Sequence, residues 1–313
     1  MNKLRVAVIG AGSFGRHHVR VVSQMSDVEL AAVVDPNVEG ARKNIDDVLG
    51  QIDAAIVATP TVTHESITAR LLEAGVDVLV EKPVAETSEG AERLARLAQK
   101  NGRILQAGHL ERFNPAVTAL EKALTVPLFF EVHRLSVFTP RSLDIDVVLD
   151  LMIHDLDIVL SFVGAMPEEI RAAGISVLSS KVDIANVRLA FASGCIANLT
   201  ASRISAEQVR KLRLFQPGEY ISLDYHRQDA VRFAIRKNEP KIGFEPLPVS
   251  PAEPLQLELA AFFASVRDRT PPRVDAFQAA KALQVAESIL AKIKEHADLV
   301  SETIRSQGNF PSR

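Results

Sequence analysis

Short apolar runs alternate with helical periodicity over the first hundred or so residues. Segments 4–9, 28–34, 54–57, 76–80 and 104–106 are almost purely Val, Ile, Leu and Ala. Runs of that length without polar alternation predict strands buried on both faces. Between them, 14–25, 63–74 and 88–100 carry apolar residues at helical spacing. Strand and helix in turn predict right-handed βαβ units and a parallel sheet. The pattern changes after about residue 115. A helical stretch leads to a longer strand at 128–138, and 147–162 reads as a helix. Segments 170–178, 184–191, 196–204, 211–215, 220–224 and 230–235 then follow as strands with no helix between them. Ala192-Ser193-Gly194 and Gln216-Pro217-Gly218 read as hairpin turns. A proline-rich connector at 246–254 precedes two closing helices, 255–267 and 276–294, and the polar tail from Ser301 is expected to fray.

Composition narrows the function classes. The chain has 313 residues, 47% of them apolar and 24% charged, which suits a soluble chain of two domains. Lys plus Arg number 36 against 39 Asp plus Glu, a net charge of −3. Such a balance carries no electrostatic footprint for nucleic acid or an anionic membrane. No run of about 18 apolar residues is present to span a bilayer. The run 6–11 is too short for a signal-peptide core and passes straight into a glycine motif. The single cysteine, Cys195, excludes an internal disulfide and a Cys-rich zinc site, and reads as an inert core thiol. One cysteine fits a reducing, cytoplasmic compartment. With no Trp and two Tyr, a sugar ligand would be held mainly by hydrogen bonds and charge.

Gly10-Ala-Gly12-Ser13-Phe14-Gly15 fits G-x-G-x-x-G, follows a predicted strand and opens a predicted helix. In that setting Gly10 allows the tight turn, Gly12 lets the backbone approach a pyrophosphate, and Gly15 lets the helix pack close to the strand. The helix N-terminus offers free N–H groups to phosphates. The second strand ends at Asp35, an acceptor for ribose hydroxyls that repels a 2′-phosphate, so NAD is expected rather than NADP. The fold class read from these features is α/β. A Rossmann doubly wound parallel sheet spans 1–115. An α+β domain with a large, mostly antiparallel open sheet spans 116–313, and helices within 255–296 are candidates to pack back toward the first domain.

Chemistry-bearing residues cluster at predicted strand ends. Thr59-Pro60 closes the third strand, with His64 soon after, and Glu81-Lys82-Pro83 closes the fourth. Ligands bind at such strand C-termini in a doubly wound sheet. A lysine directly after a buried strand is a functional suspect, although alone it reads as a solvated loop residue. Asp150 and His154 stand at i and i+4, on one helix face.

As an ordered set these motifs resemble the Gfo/Idh/MocA oxidoreductase family. The set comprises the glycine loop with Asp35, Thr59-Pro60 with His64, Glu81-Lys82-Pro83, Arg112-Phe113-Asn114-Pro115, and Asp150-x-x-x-His154-Asp155-x-Asp157. The resemblance implies that Lys82, Asp150 and His154 are catalytic. It places Gly10, Gly12, Ser13, Phe14, Gly15, Asp35, Thr59, Pro60, His64, Glu81 and Lys82 at the cofactor, with NAD accepting a hydride from a carbinol carbon. His154 is favoured as base and Lys82 as the group polarising the oxygen, its pKa lowered by a cationic nicotinamide and partial desolvation. Asp150 is read as substrate anchor or orienter of His154.

Gly108-His-Leu-Glu-Arg-Phe-Asn-Pro115 and the string 149–157 resemble the branch that oxidises C3 of UDP-N-acetylglucosamine, ahead of amino transfer in making the diamino sugars of lipid A. That implies a sugar nucleotide met by Lys82, Arg112, Asn114, Arg134, Arg141, Asp150 and His154, the arginines at the diphosphate. The alternatives are a dehydrogenase of a free sugar or inositol, and a non-catalytic NAD-sensing regulator. The regulators lose parts of the catalytic set, which is complete here. Seventeen residues between Asp35 and Asp53 leave little room for the extra strand the family usually carries there. His17 and His18 read as helix surface or packing. Asp155 and Asp157 read as structural, so no metal is expected. Phe129-Phe130 and the alternating strands point to an open sheet face through which a homodimer or homotetramer forms.

Overall fold

The computed structural model describes residues 3–139, 143–235 and 242–306. The backbone divides into two units, Met1–Phe113 with Ala252–Leu283 and Asn114–Pro251 with Gln284–Arg313.

In the first unit, five parallel strands are β1 (Leu4–Ile9), β2 (Val28–Val34), β3 (Ala54–Val57), β4 (Asp77–Glu81) and β5 (Leu105–Gly108), in the order β2-β1-β3-β4-β5. Every residue of β3, β4 and β5 is buried, which is why these segments show no polar alternation. Crossover helices are α1 (Gly15–Gln24), α2 (His64–Glu73) and α3 (Ser88–Lys100). Strand order reverses between β1 and β3, so the loops after these strands flank the switch point where such sheets bind ligands. Among the described residues, 36–52 hold no strand. A short 3₁₀ turn (Ile45–Asp47) and one bridge from Val34 to Arg42 fill the gap, leaving β2 at the sheet edge. Helix α6 (Pro254–Asp268) belongs to this unit: Leu255, Leu259, Phe262 and Phe263 share a core with Val6, Val8, Val21, Val22 and Ile56.

The second unit begins with α4 (Pro115–Ala123) and holds eight strands. They are β6 (Phe129–Val137), β7 (Glu169–Ile175), β8 (Ile184–Ala190), β9 (Ile196–Ser205), β10 (Val209–Gln216), β11 (Glu219–Asp224), β12 (Asp229–Ile235) and β13 (Ile242–Pro246). The order is β13-β12-β11-β10-β6-β9-β8-β7, antiparallel except for the β6–β9 pair. Strand β13 escapes sequence reading because Ile242-Gly-Phe-Glu-Pro246 combines a glycine and a proline, tolerated only at an edge. A π-helical turn (Val148–Met152) runs into α5 (Ile153–Val163). The last helix, α7 (Ala276–Ser306), carries on through the tail expected to fray from Ser301, since no Gly or Pro occurs before Gly308.

Side-chain alternation sorts this sheet into two faces. Phe130, Val132, Leu199, Leu212 and Leu214 point to the buried face. Phe129, Phe215, Tyr220, Phe233 and Phe244 face the other way and stand opposite one another across five successive strands. Ring centroids are 5.8, 5.3 and 4.5 Å apart over the first four. Among the described residues, no helix is long and apolar enough to cross a membrane, and no group of three His, Cys, Asp or Glu is placed to hold a metal.

Candidate functional site

The glycine loop follows β1 directly. Gly10 sits at φ +89°, where a side chain would be strained, and a Cβ there would stand 2.7 Å from the Ala58 carbonyl oxygen. A Cβ on Gly15 would fall 1.9 Å from the Gly10 carbonyl oxygen, so α1 approaches the strand end as only glycine permits. Gly12 is different: nothing in the protein lies within 4 Å of where its Cβ would be. Its missing side chain serves open space rather than packing. Helix α1 has no side-chain cap at Phe14; the Arg16 and His17 N–H groups donate to the Gly12 and Phe14 carbonyls, so the terminus favours an anion mainly through the positive end of its dipole. Asp35 accepts the N–H groups of Ala11 and Asn37, each at 2.8 Å. These bonds hold its carboxyl below the usual range. A carboxylate has about four acceptor positions, so capacity remains for ribose hydroxyls.

Two residues expected to face the cofactor are buried supports instead. His64 is 1% exposed, and its Nδ1 and Nε2 lie 2.7 and 2.8 Å from the carbonyl oxygens of Pro83 and Thr59. It ties the loop after β3 to the loop after β4. Glu81 is also buried; it pairs with His18 Nε2 at 2.7 Å and accepts the Lys82 N–H at 3.3 Å. His18 is fully buried in this pair, while its neighbour His17 is exposed. Lys82 itself is half-buried at the C-terminal edge of the sheet. Thr59 accepts the Thr63 hydroxyl, Pro60 and Ser13 are exposed, and Phe14 is 47% exposed with its ring 6.1 Å from His18.

Behind Glu81 lies a residue that sequence reading missed. Glu258 of α6 is 0% exposed, and neither carboxyl oxygen has a hydrogen-bond partner. Burial, reinforced by the neighbouring Glu81 carboxylate, pushes the Glu258 carboxyl well above the usual range. The signal was present: Glu258 shares the apolar register of Leu255, Leu259 and Phe262.

In the second unit, Asp150 lies in the π-helical turn and His154 in the first turn of α5, both half-buried. Single π turns often mark functional positions. Two residues expected to meet the substrate, Arg134 and Asn114, are committed to structural contacts instead. Arg134 is 3% exposed, and its Nε and Nη2 reach the two Asp155 oxygens at 2.7 and 2.9 Å, with the guanidinium 4.9 Å from the Tyr225 ring centre. That buried fork is a structural pair; removing one partner strands the other charge. Asn114 caps α4 by accepting the Ala116 N–H and donates to the Tyr225 carbonyl, so both ends of its amide are committed. Arg112, in the first unit, is buried at the end of a short 3₁₀ turn. Arg141 lies outside the described residues.

Residues 4–109 match the model of an oxidoreductase family with an NAD-binding Rossmann fold, and 130–215 match the Gfo/Idh/MocA C-terminal domain. Over 237 residues the chain is 38% identical to UDP-N-acetylglucosamine 3-dehydrogenase of Acidithiobacillus ferrooxidans, covering 72% of this chain and 75% of that one. The chain belongs to the Gfo/Idh/MocA oxidoreductase family. A solved structure of the same Acidithiobacillus enzyme superposes with a TM-score of 0.88 at 32% identity, over 94% of this chain and 99% of that one. Inositol 2-dehydrogenase 2 of Saccharopolyspora erythraea is 30% identical, but that match spans 51% of this chain and 54% of the relative.

As a member of the Gfo/Idh/MocA family the protein is an NAD-dependent oxidoreductase acting on CH–OH groups. The first unit fits the cofactor: the open space at Gly12 admits a pyrophosphate, the uncapped α1 terminus meets its charge, and Asp35 stands at the end of β2 for the ribose.

Proposed function

We propose that this protein oxidises C3 of UDP-N-acetylglucosamine to the 3-keto sugar nucleotide. The observation that carries the reading is its 38% identity to a UDP-N-acetylglucosamine 3-dehydrogenase, together with the near-complete structural match to the same enzyme. When bound, NAD supplies the hydride acceptor. Gly10, Gly12, Gly15 and Asp35 hold it, with Ser13, Phe14, Thr59 and Pro60 beside the same loops. His154 takes the hydroxyl proton on a ring nitrogen, and the Lys82 ammonium polarises the same oxygen as charge develops on it. Asp150 anchors a neighbouring hydroxyl or orients His154, and Arg112 meets the diphosphate. A ketone at C3 is the form an amino transfer consumes, as in making lipid A diamino sugars. The single cysteine and the NAD requirement support a cytoplasmic reading, which fractionation of the native cell checks.

The second reading, a dehydrogenase of a free polyol, is favoured by the inositol dehydrogenase relative. Purified protein supplied with NAD is expected to form NADH with UDP-N-acetylglucosamine and not with N-acetylglucosamine or myo-inositol. Turnover confined to the free polyols overturns the first reading. No turnover with any of them, alongside tight NAD binding, favours a sensor.

The outward aromatic row on β6, β10, β11, β12 and β13 supports a homodimer or homotetramer through that face. Phe244 is 70% exposed in the isolated chain, and contiguous apolar surface of this kind marks an interface. Light scattering of wild type is expected to give an oligomer, and Phe233→Glu a monomer. A wild-type mass of one chain defeats the assignment.

A further inference from the structure

A carboxyl that the proposed reaction leaves unused sits behind Lys82. Glu258 lies between Leu255 and Leu259 on the face of α6 that packs against the first sheet, where Leu79 of β4 belongs to the same core. Leu79 and Glu81 of β4 stand opposite Gln106 and Gly108 of β5, and alternate residues of a strand present their side chains to one face. Gln106 Nε2 donates to the Glu258 carbonyl at 3.4 Å, and a Cβ on Gly108 would meet Glu81 Oε2 at 3.0 Å. Glu81 and Glu258 therefore share one closed region beneath the end of β4. Their surroundings differ. Glu81 accepts from His18 Nε2 at 2.7 Å and from the Lys82 N–H at 3.3 Å. Glu258 is 0% exposed, and neither of its carboxyl oxygens accepts from any donor. The elements packed about α6 bring further titratable or charged groups: His18 on α1, Lys82 and His109 after β4 and β5, and Glu111 and Arg112 in the turn 110–113. The charge that bears on Glu258 is that of Glu81.

We propose that Glu81 and Glu258 carry one proton between them, held on Glu258, and that Glu258 is thereby a positioning residue for Lys82. Hydrogen-bond donors favour the charged form of a carboxyl, and burial without donors favours the neutral acid. Two ionised carboxyls side by side in a dry interior repel too strongly to persist. With the proton on Glu258, the Glu81 carboxylate holds the Lys82 N–H and His18 at once, so the lysine starts from a fixed backbone. When that proton leaves at alkaline pH, the second anion pushes the Glu81 carboxylate off both donors and Lys82 loses its alignment. Glu258 is sealed from cofactor and substrate and acts through Glu81. This inference rests on the role given to Lys82 in the proposed function and extends it to a residue outside the site.

The test follows infrared absorption, melting temperature and turnover against pH in wild type, Glu258→Gln and Glu258→Met, both variants being neutral and of similar length. Wild type is expected to show the carbonyl band of a protonated carboxyl near neutral pH, lost in both variants. An acid that keeps its proton longer in the folded chain than in the unfolded one costs stability as pH rises above the ordinary carboxylate range. The variants lack that slope, so their melting temperatures gain on wild type by about 3 °C for each pH unit across that window. Turnover is read with UDP-N-acetylglucosamine, or with myo-inositol if only that is oxidised. The alkaline limb of kcat is expected to move up by about one pH unit or more in Glu258→Gln, with KM little changed. A space-filling role alone leaves that limb in place. If wild type shows no such band, or the melting difference does not change with pH, the inference falls. If the limb stays or moves down in Glu258→Gln, the inference falls as well and the proposed function stands. Turnover of myo-inositol alone, with the limb still moving up, overturns the proposed function and leaves the inference standing. No turnover of either substrate overturns both.

Discussion

Lys82→Met lowers kcat about 10²- to 10⁴-fold while NAD still binds, the range expected on removing one positioned proton-handling or polarising group. Methionine keeps the length of the side chain and loses the charge. The backbone around it is secured independently: His64 holds the Pro83 carbonyl and Glu81 accepts the Lys82 N–H, neither through the lysine side chain. The fold and the cofactor loop are therefore expected to survive, so the loss is chemical. His154→Ala gives a loss of the same order and removes the acid limb of the kcat/KM profile, because that limb reports protonation of the base. The pair of variants separates the two roles. If the acid limb persists in His154→Ala and disappears in a slow Lys82 variant, the base is the lysine. Near-normal turnover in either variant removes that residue from the mechanism.

Gly12→Val and Gly15→Ala both lose NAD binding, and only the second loses stability. A side chain on Gly12 meets no protein atom within 4 Å at its Cβ, so the melting temperature should hold. It fills the space through which the backbone approaches a pyrophosphate, and NAD affinity should fall at least tenfold, about 1.4 kcal/mol. A Cβ on Gly15 lands 1.9 Å from the Gly10 carbonyl oxygen, so loop or helix must move. Overpacking of that kind costs about 1–3 kcal/mol, and each kcal/mol lowers the melting temperature of a domain this size by about 2–4 °C. Thermal melts with and without NAD read both effects. Normal NAD binding in Gly12→Val would show that the pyrophosphate does not cross this loop.

The chain announces its doubly wound sheet because β3, β4 and β5 are buried on both faces and their residues say so one by one. It announces the large sheet because side chains alternate between a packed face and an outward one. Strand β13 was illegible, since an edge strand with Gly and Pro shows neither pattern. The π-helical turn carrying Asp150 was illegible too, because one extra residue in a turn leaves apolar spacing almost unchanged.

The glycine spacing, Asp35 and the Glu81-Lys82-Pro83 string were legible in the sequence alone, since each directly follows or closes an apolar run that marks a buried strand. What only the tertiary structure decided is which polar groups are spent on one another. Arg134 went to Asp155, 21 residues away, and Glu81 to His18, 63 away. Glu258 was buried with neither carboxyl oxygen hydrogen-bonded. A guanidinium looks the same in sequence whether it neutralises a buried carboxylate or faces solvent. The difference is made by distance and dielectric, and those exist only once the sheet has brought remote strands into register.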